Sequence, residues 1–247
     1  TDISYCDPRG DHELGDALLM SDRQHGENVL RLDATFGKGE VVGDFLPTRL
    51  PSALAQVVYS IFPSLSDEVT YQLAEQRFSF SVETRDMKEV LDLLAPGLEI
   101  EPGATANGAL DTRTFDLDLT AQVPQMKYGT LEMDSVQVIA DKTLDILAFA
   151  VQSTRQSIND TIWFGGTSFT GKAYQDELDI ELGWDTSGTG TNGDLKILGE
   201  VRGLRSVSLD LMPSHLYFGR GTWTNPTVAH FTVDSSRVVV SGLELLN

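Results

Sequence analysis

The chain has 247 residues, with 18 Lys plus Arg against 37 Asp plus Glu, a formal charge of −19, 40% apolar residues and a single cysteine. The acidic surplus repels phosphate, which excludes an electrostatic nucleic-acid binder and flat docking on an anionic leaflet. Cys6 alone can build neither an internal disulfide nor a structural zinc site, no run approaches the roughly 18 apolar residues of a membrane-spanning helix, and the apolar share suffices for a core.

The first pattern along the chain has a period of two. Leu30, Leu32, Ala34 and Phe36 alternate with Arg31, Asp33 and Thr35, which predicts half-buried antiparallel strands over residues 1–50. Pro51 to Phe62 then places Leu54, Val57, Val58 and Ile61 at helical spacing, with Pro63 as a stop. Phe78, Phe80 and Val82 read as a crossover strand. Asp86 to Leu94 repeats the helical spacing with Met87, Val90, Leu91 and Leu94; Asp86 and Glu89 suit a capping box, and Pro96-Gly97 ends the run. Residues 51–97 are therefore expected to form a helical insert with one crossover strand. Both helices are amphipathic and are expected to pack on the sheet, with a plug at the mouth of an apolar groove as the sharper alternative.

Residues 98–247 return to alternation and are expected to form a C-terminal antiparallel sheet of roughly ten strands. Phe115, Leu117 and Leu119 open it. Leu131 and Met133 set one phase and Val136 and Val138 the other, so a β-bulge is expected at Asp134-Ser135. Leu178, Ile180 and Leu182, then Leu195 and Ile197, then Leu209 and Leu211 continue the pattern. Turns are expected at Gly37-Lys38-Gly39, Asn107-Gly108, Gly165-Gly166, Ser187-Gly188, Asn192-Gly193 and Gly219-Arg220-Gly221. The absence of helical periods after residue 98 argues against a parallel α/β fold. An open sheet of this size must curl, split or close, and a sandwich, a barrel and a gutter all fit the period.

Motifs for chemistry are weak. Gly188 to Gly193 matches G-x-G-x-x-G, but a strand pattern follows where a dinucleotide site needs a helix. Gly166 to Lys172 matches a P-loop up to its last position, where Ala173 replaces the hydroxyl that would hold Mg²⁺. His12, His25, His215 and His230 have no metal-ligating spacing, and no G-x-S-x-G occurs. Trp163, Trp184 and Trp223 are too dispersed for a sugar-stacking row. No enzyme activity, metal or cofactor is expected.

Two stretches carry a family resemblance. Phe78-Ser79-Phe80-Ser81-Val82, Arg85-Asp86, Val90 to Leu98 with its Leu-Leu-Ala-Pro-Gly-Leu block, and Pro102-Gly103 resemble the middle of TamB-like translocation and assembly module proteins of Bacteroidetes-type bacteria, in the AsmA/TamB superfamily. Tyr128 to Val136, Pro213 to Phe218, Trp223 and Val238 to Leu243 resemble their repetitive strand blocks. The resemblance spans about residues 3–246, and the Leu-Leu-Ala-Pro-Gly-Leu block is its most specific part. It implies a mainly β fold, a long antiparallel meander curled into an apolar gutter like a taco. It implies a periplasmic, inner-membrane-anchored parent that carries phospholipid acyl chains between membranes in outer-membrane biogenesis, with a TamA-type barrel as partner. The family's anchor helix and C-terminal domain are expected to lie outside this chain.

Alternation, joined to that resemblance, nominates a lipid-groove lining: Phe115, Leu117, Leu119, Leu131, Met133, Val136, Val138, Leu144, Ile146, Leu178, Ile180, Leu182, Leu195, Ile197, Leu209, Leu211, Leu216, Phe218, Val238, Val240, Leu243 and Leu245. The competing expectation is an extracytoplasmic β-sandwich module with a closed core that binds carbohydrate or protein.

Overall fold

The computed structural model describes residues 2–7, 10–66, 75–159, 162–186, 191–204, 206–218, 221–234 and 237–247. It holds twenty strands, 66% of the chain, in one large antiparallel sheet that is not closed, with two short helices. The described strands are joined by hydrogen bonds into one ladder rather than two separate sheets.

The first four strands are β1 (Asp2–Asp7), β2 (Gly10–Gln24), β3 (Glu27–Ala34) and β4 (Gly37–Asp44). Helix α1 (Leu50–Ile61), strand β5 (Arg77–Thr84) and helix α2 (Lys88–Leu94) follow. Next come β6 (Leu98–Ile100), β7 (Thr105–Asp111), β8 (Asp116–Tyr128), β9 (Leu131–Thr143), β10 (Ile146–Ser153), β11 (Arg155–Ile158), β12 (Ile162–Phe164) and β13 (Gly166–Tyr174). The chain ends with β14 (Glu177–Thr186), β15 (Thr191–Val201), β16 (Ser206–Leu211), β17 (Ser214–Phe218), β18 (Gly221–Asn225), β19 (Ala229–Asp234) and β20 (Val238–Ser241).

The topology is a meander in which neighbours in sequence are neighbours in space. The fifteen strands of the C-terminal sheet exceed the expected ten because long strands are split. β6 and β7 both lie along β8. β16 and β17 both lie along β15, and β19 and β18 continue them. Pro102, Pro213 and Pro226 stand at three of these splits. Proline has no N–H to give to the ladder, so pairing stops there; it restarts on the same neighbour at Pro102 and Pro213 and passes from β17 to β16 at Pro226.

Glycine signals mark turns less often than expected. Gly37 and Gly39 lie inside β4, Asn107-Gly108 inside β7 and Asn192-Gly193 inside β15. Ser187-Gly188 and residues 219–220 lie outside the described residues. Of the observed hairpin turns, His25-Gly26 has positive φ at both central residues, and so has Gln175-Asp176, where no glycine is present. The bulge expected at Asp134-Ser135 is also corrected. Val123 pairs with Val136 and Gln125 with Asp134, so no residue is inserted. The phase change is real, and it falls where Ser135 takes φ 51° opposite Pro124, which has no donor to offer.

α1 starts one residue earlier than expected and α2 begins at Lys88 rather than Asp86. The capping box is replaced by a shorter contact in which the Lys88 N–H donates to Asp86 Oδ1 at 3.2 Å. α1 has no side-chain cap at its start, no acid in its first turn and no base in its last. Its helicity therefore depends on packing. Ala53, Val57 and Ile61 are buried in a cluster with Phe45, Phe78, Leu110 and Ala173.

The ends of α1 show how it lies. Before it, Asn28 Nδ2 donates to Phe45 O at 2.8 Å, and the Leu46 N–H donates to Gln76 Oε1 at 3.3 Å, next to β3 and β5. After it, the Asp176 N–H from the β13–β14 turn donates to Ile61 O at 3.0 Å. Five ladder steps of roughly 4.8 Å separate β5 from β13, about 24 Å in all, and twelve residues of helix cover about 18 Å. α1 thus runs across the strands, along one end of them.

Leu110 is sealed in this cluster, at 1% exposure. Leu110→Ala is expected to cost about 3 kcal/mol through cavity formation. The thermal midpoint should fall by roughly 6–12 °C on a calorimetric scan.

Candidate apolar furrow on the sheet

Cross-strand register turns separate alternations into one surface. One row runs Leu30, Val41, Phe80, Gly108, Leu119 and Ala140 from β3 to β9. It goes on through Phe149, Gly171, Ile180, Ile197, Leu211 and Ala229 to β19. On one side of it, Phe78, Leu110, Leu117, Lys142, Leu147, Ala173, Leu178, Gly199, Leu209, Phe231 and Val240 form a parallel row. On the other, Leu32, Gly39, Val82, Ala106, Ala121, Val138, Val151, Phe169, Leu182 and Leu195 form a third. At roughly 4.8 Å per ladder step this face extends about 60 Å across the strands.

The reverse face is polar. Ser79, Ala109, Asp118, Asp141, Ala148, Lys172, Asp179, Leu198 and Asp210 follow one another along it, with Leu198 the one large apolar side chain of that run. A recess of about 810 Å³ opens at one end of this face, with Asp44, Asp111, Asp116 and Asp118 among its walls. Arg113 hydrogen-bonds Asp111 at 2.6 and 3.0 Å and holds that carboxyl below the usual carboxylate range. The recess is wet and charged and suits no alkyl guest.

The apolar face is only partly covered. A compact monomer of 27.0 kDa exposes about 10,800 Å², whereas this chain exposes 15103 Å². Most apolar side chains in the three rows are half-buried rather than sealed. α1 packs on the row that runs from Phe78 to Leu178 and on Leu30, Val41 and Phe80, while towards β20 Val240 stands at 45% exposure.

Rings and glycines make the surface even. A Cβ on Gly108 would stand 2.6 Å from Phe80 Cζ, one on Gly171 2.6 Å from Phe149 Cζ, and one on Gly193 2.5 Å from Trp184 Cζ2. Each ring therefore lies over the bare backbone of the neighbouring strand. This pairing of an aromatic with a cross-strand glycine removes the ridge that a second side chain would raise. It also explains why these glycines sit mid-strand.

Lys142 is the one charged residue in the three rows, and it is 1% exposed. Its stem lies between Leu117 and Leu147, and its ammonium donates to Leu144 O while standing 5.9 Å from the centroid of Phe115. The stem packs with the apolar side chains and the head reaches the turn. Burial pushes the ammonium below the usual lysine range, against the opposing pull of Asp145 and Asp116.

The nominated lining divides as follows. Leu117, Leu119, Val136, Val138, Leu178, Ile180, Leu182, Leu195, Ile197, Leu209, Leu211, Leu216, Val238 and Val240 share this face by register. Phe115 and Leu144 stand in turns with φ of 56° and 57°. Ile146 pairs with Thr143 and points out of phase with Leu147. Leu131 and Met133 pair with Tyr128 and Met126 beyond the break at Ser135. Leu243 and Leu245 lie past β20 and are about half exposed. The backbone of Phe218 ends β17, and its side chain lies outside the described set.

Several face residues escaped the alternation. Leu147, Phe149 and Val151 are interleaved with Ala148 and Ala150, which hides the period. Phe169 and Ala173 are separated by Gly171, which carries no hydrophobic signal. Phe231 and Val233 alternate legibly with Thr232 and Asp234 and could have been found.

The motif readings can now be placed. Gly166 to Lys172 lies within β13 and Thr191 begins β15, so neither glycine motif opens a helix; residues 188–190 lie outside the described set. Among the described residues no group of three or more His, Cys, Asp or Glu converges to hold a metal ion. No described helix is long and apolar enough to cross a membrane.

Gly171→Val is expected to destabilise the fold by about 2 kcal/mol, because the added side chain meets both the Phe149 ring and Asp179 O. Urea unfolding would read this as a lower midpoint at an unchanged slope. Lys142→Met should stabilise at neutral pH, since it removes a buried charge and keeps the stem. A lysine whose folded pKa lies below its unfolded value binds fewer protons when folded, so the wild type gains stability as pH rises through that window. The gap between the two proteins should therefore narrow towards pH 10.5 in denaturation measured across pH.

Searches against protein-family models, curated proteins and solved structures returned no match to this chain.

Proposed function

We propose that this chain is a non-enzymatic section of a lipid conduit, in which phospholipid acyl chains rest on the apolar face while their headgroups stay in water. One observation carries the reading: a continuous apolar face across the meander, left half-exposed by a sheet with no second sheet over it. Each methylene moved from water onto such a surface contributes about 0.8 kcal/mol. A chain of roughly 16 carbons then gains on the order of 10 kcal/mol before ordering costs. The ring-over-glycine floor suits a guest that slides, because it offers area without pockets. An acidic reverse face keeps the oily surface from collapsing onto other copies.

Curling into a gutter follows from the number of strands, since an open twisted sheet of this size coils on itself. α1, lying along the rows, favours the same curl, because it draws the walls on either side towards one buried cluster. The periplasmic setting, the inner-membrane anchor and the TamA-type barrel partner rest on the TamB-like resemblance alone.

The test is native mass spectrometry of the purified chain. Copurified phospholipid is expected, and it should be lost in Ile180→Glu and in the more exposed Leu195→Glu while circular dichroism stays that of the wild type. A wild type that carries no lipid after purification from membranes, and takes none from liposomes, would sink the conduit.

A further inference from the structure

We infer that α1 occupies a cryptic alkyl-chain site, and that the helix is a displaceable plug held by a polar latch. The inference rests on the conduit reading and adds where a guest goes and what must move.

Four observations meet here. First, α1 lies along the row at one end of the strands, so its underside of Ala53, Val57 and Ile61 covers apolar surface that an alkyl chain lying across the strands could take. Second, the same rows run on by register towards β20, where Val240 is 45% exposed, so the stretch under α1 and the stretch beyond it form one surface. Third, α1 is apolar on its far side too, with Leu54 at 49% and Val58 at 43% exposure. Beside the polar Ser52, Gln56 and Ser60, these two side chains are already partly in water while the helix is seated. Fourth, the helix has no side-chain cap at its start, and its C-terminal anchor includes exposed hydrogen bonds of Ser64. The Ser64 N–H donates to Asp176 Oδ1 at 3.0 Å, Ser64 Oγ donates to Val201 O at 3.1 Å, and the Asp176 N–H reaches Ile61 O at 3.0 Å. Such bonds exchange readily with water, unlike the buried ladder beneath.

A single alkyl chain offers the furrow what the underside of α1 offers, which is apolar area with no polar group to satisfy. Guest and helix therefore compete for one place, and binding shifts the helix between a seated and a released state.

The experiment is hydrogen exchange read by mass spectrometry on the full chain, with lauroyl lysophosphatidylcholine below its micelle concentration and native mass spectrometry to score occupancy. With the probe bound, amide protection over residues 50–61 should fall at least tenfold while β5 and β8 keep theirs. Asp176→Ala, which removes the carboxylate of the latch, should speed uptake of a fluorescent lysophospholipid about fivefold, the factor that goes with one ordinary hydrogen bond. Bound probe with unchanged protection over 50–61 would overturn the plug and leave the conduit standing. Unchanged uptake in Asp176→Ala would overturn the latch. No probe bound by either protein would overturn the conduit, and the plug with it.

Discussion

The structure depends on register. Alternation within a strand gives one oily side, but an oily surface exists only if every neighbouring strand presents the same side at the same height. The meander achieves this because each hairpin turn fixes its two strands against one another, and the next turn repeats the alignment. A slip of one residue at any turn would send the following strands' apolar residues to the acidic face. The two faces differ so strongly in polarity that such a slip carries a large penalty, and the tight turns at His25-Gly26 and Gln175-Asp176 keep it from occurring.

A sheet that buries one face against nothing has to find stability elsewhere. Here the ladder itself is extensive, and the side chains within each row cover one another across strands. The aromatic rings lying over Gly108, Gly171 and Gly193 shield backbone that would otherwise be wet. α1 adds the only dense cluster described, at one end of the strands. The outcome is a frame whose apolar face is mostly half-buried rather than sealed. Lys142 belongs to the frame: its stem completes a row and its head ties down a turn.

The fold was legible where the signal is local. Period two in Phe78-Phe80-Val82 or Leu178-Ile180-Leu182 is a property of consecutive residues, and the strands are there. The helix expected from Pro51 to Phe62 lies one residue from the observed Leu50–Ile61 at each end. Glycine misled because two different needs share one residue. In a turn it supplies a left-handed backbone; under Phe80 or Phe149 it supplies the absence of a side chain, and only the partner strand reveals which. Phe115 and Leu144 extended an alternation by eye into turns, where φ is positive and the period no longer applies.

By itself the sequence determined the class: a mainly β chain, antiparallel, oily on one side and acidic on the other, interrupted by two helices. These follow from nearest neighbours along the chain and from charge. Tertiary structure alone decided that the oily sides join into one face, that α1 packs on the row at one end of the strands, and that glycines face rings. Each of these depends on which residue of another strand stands opposite, and that is set by pairing between segments that no local period encodes.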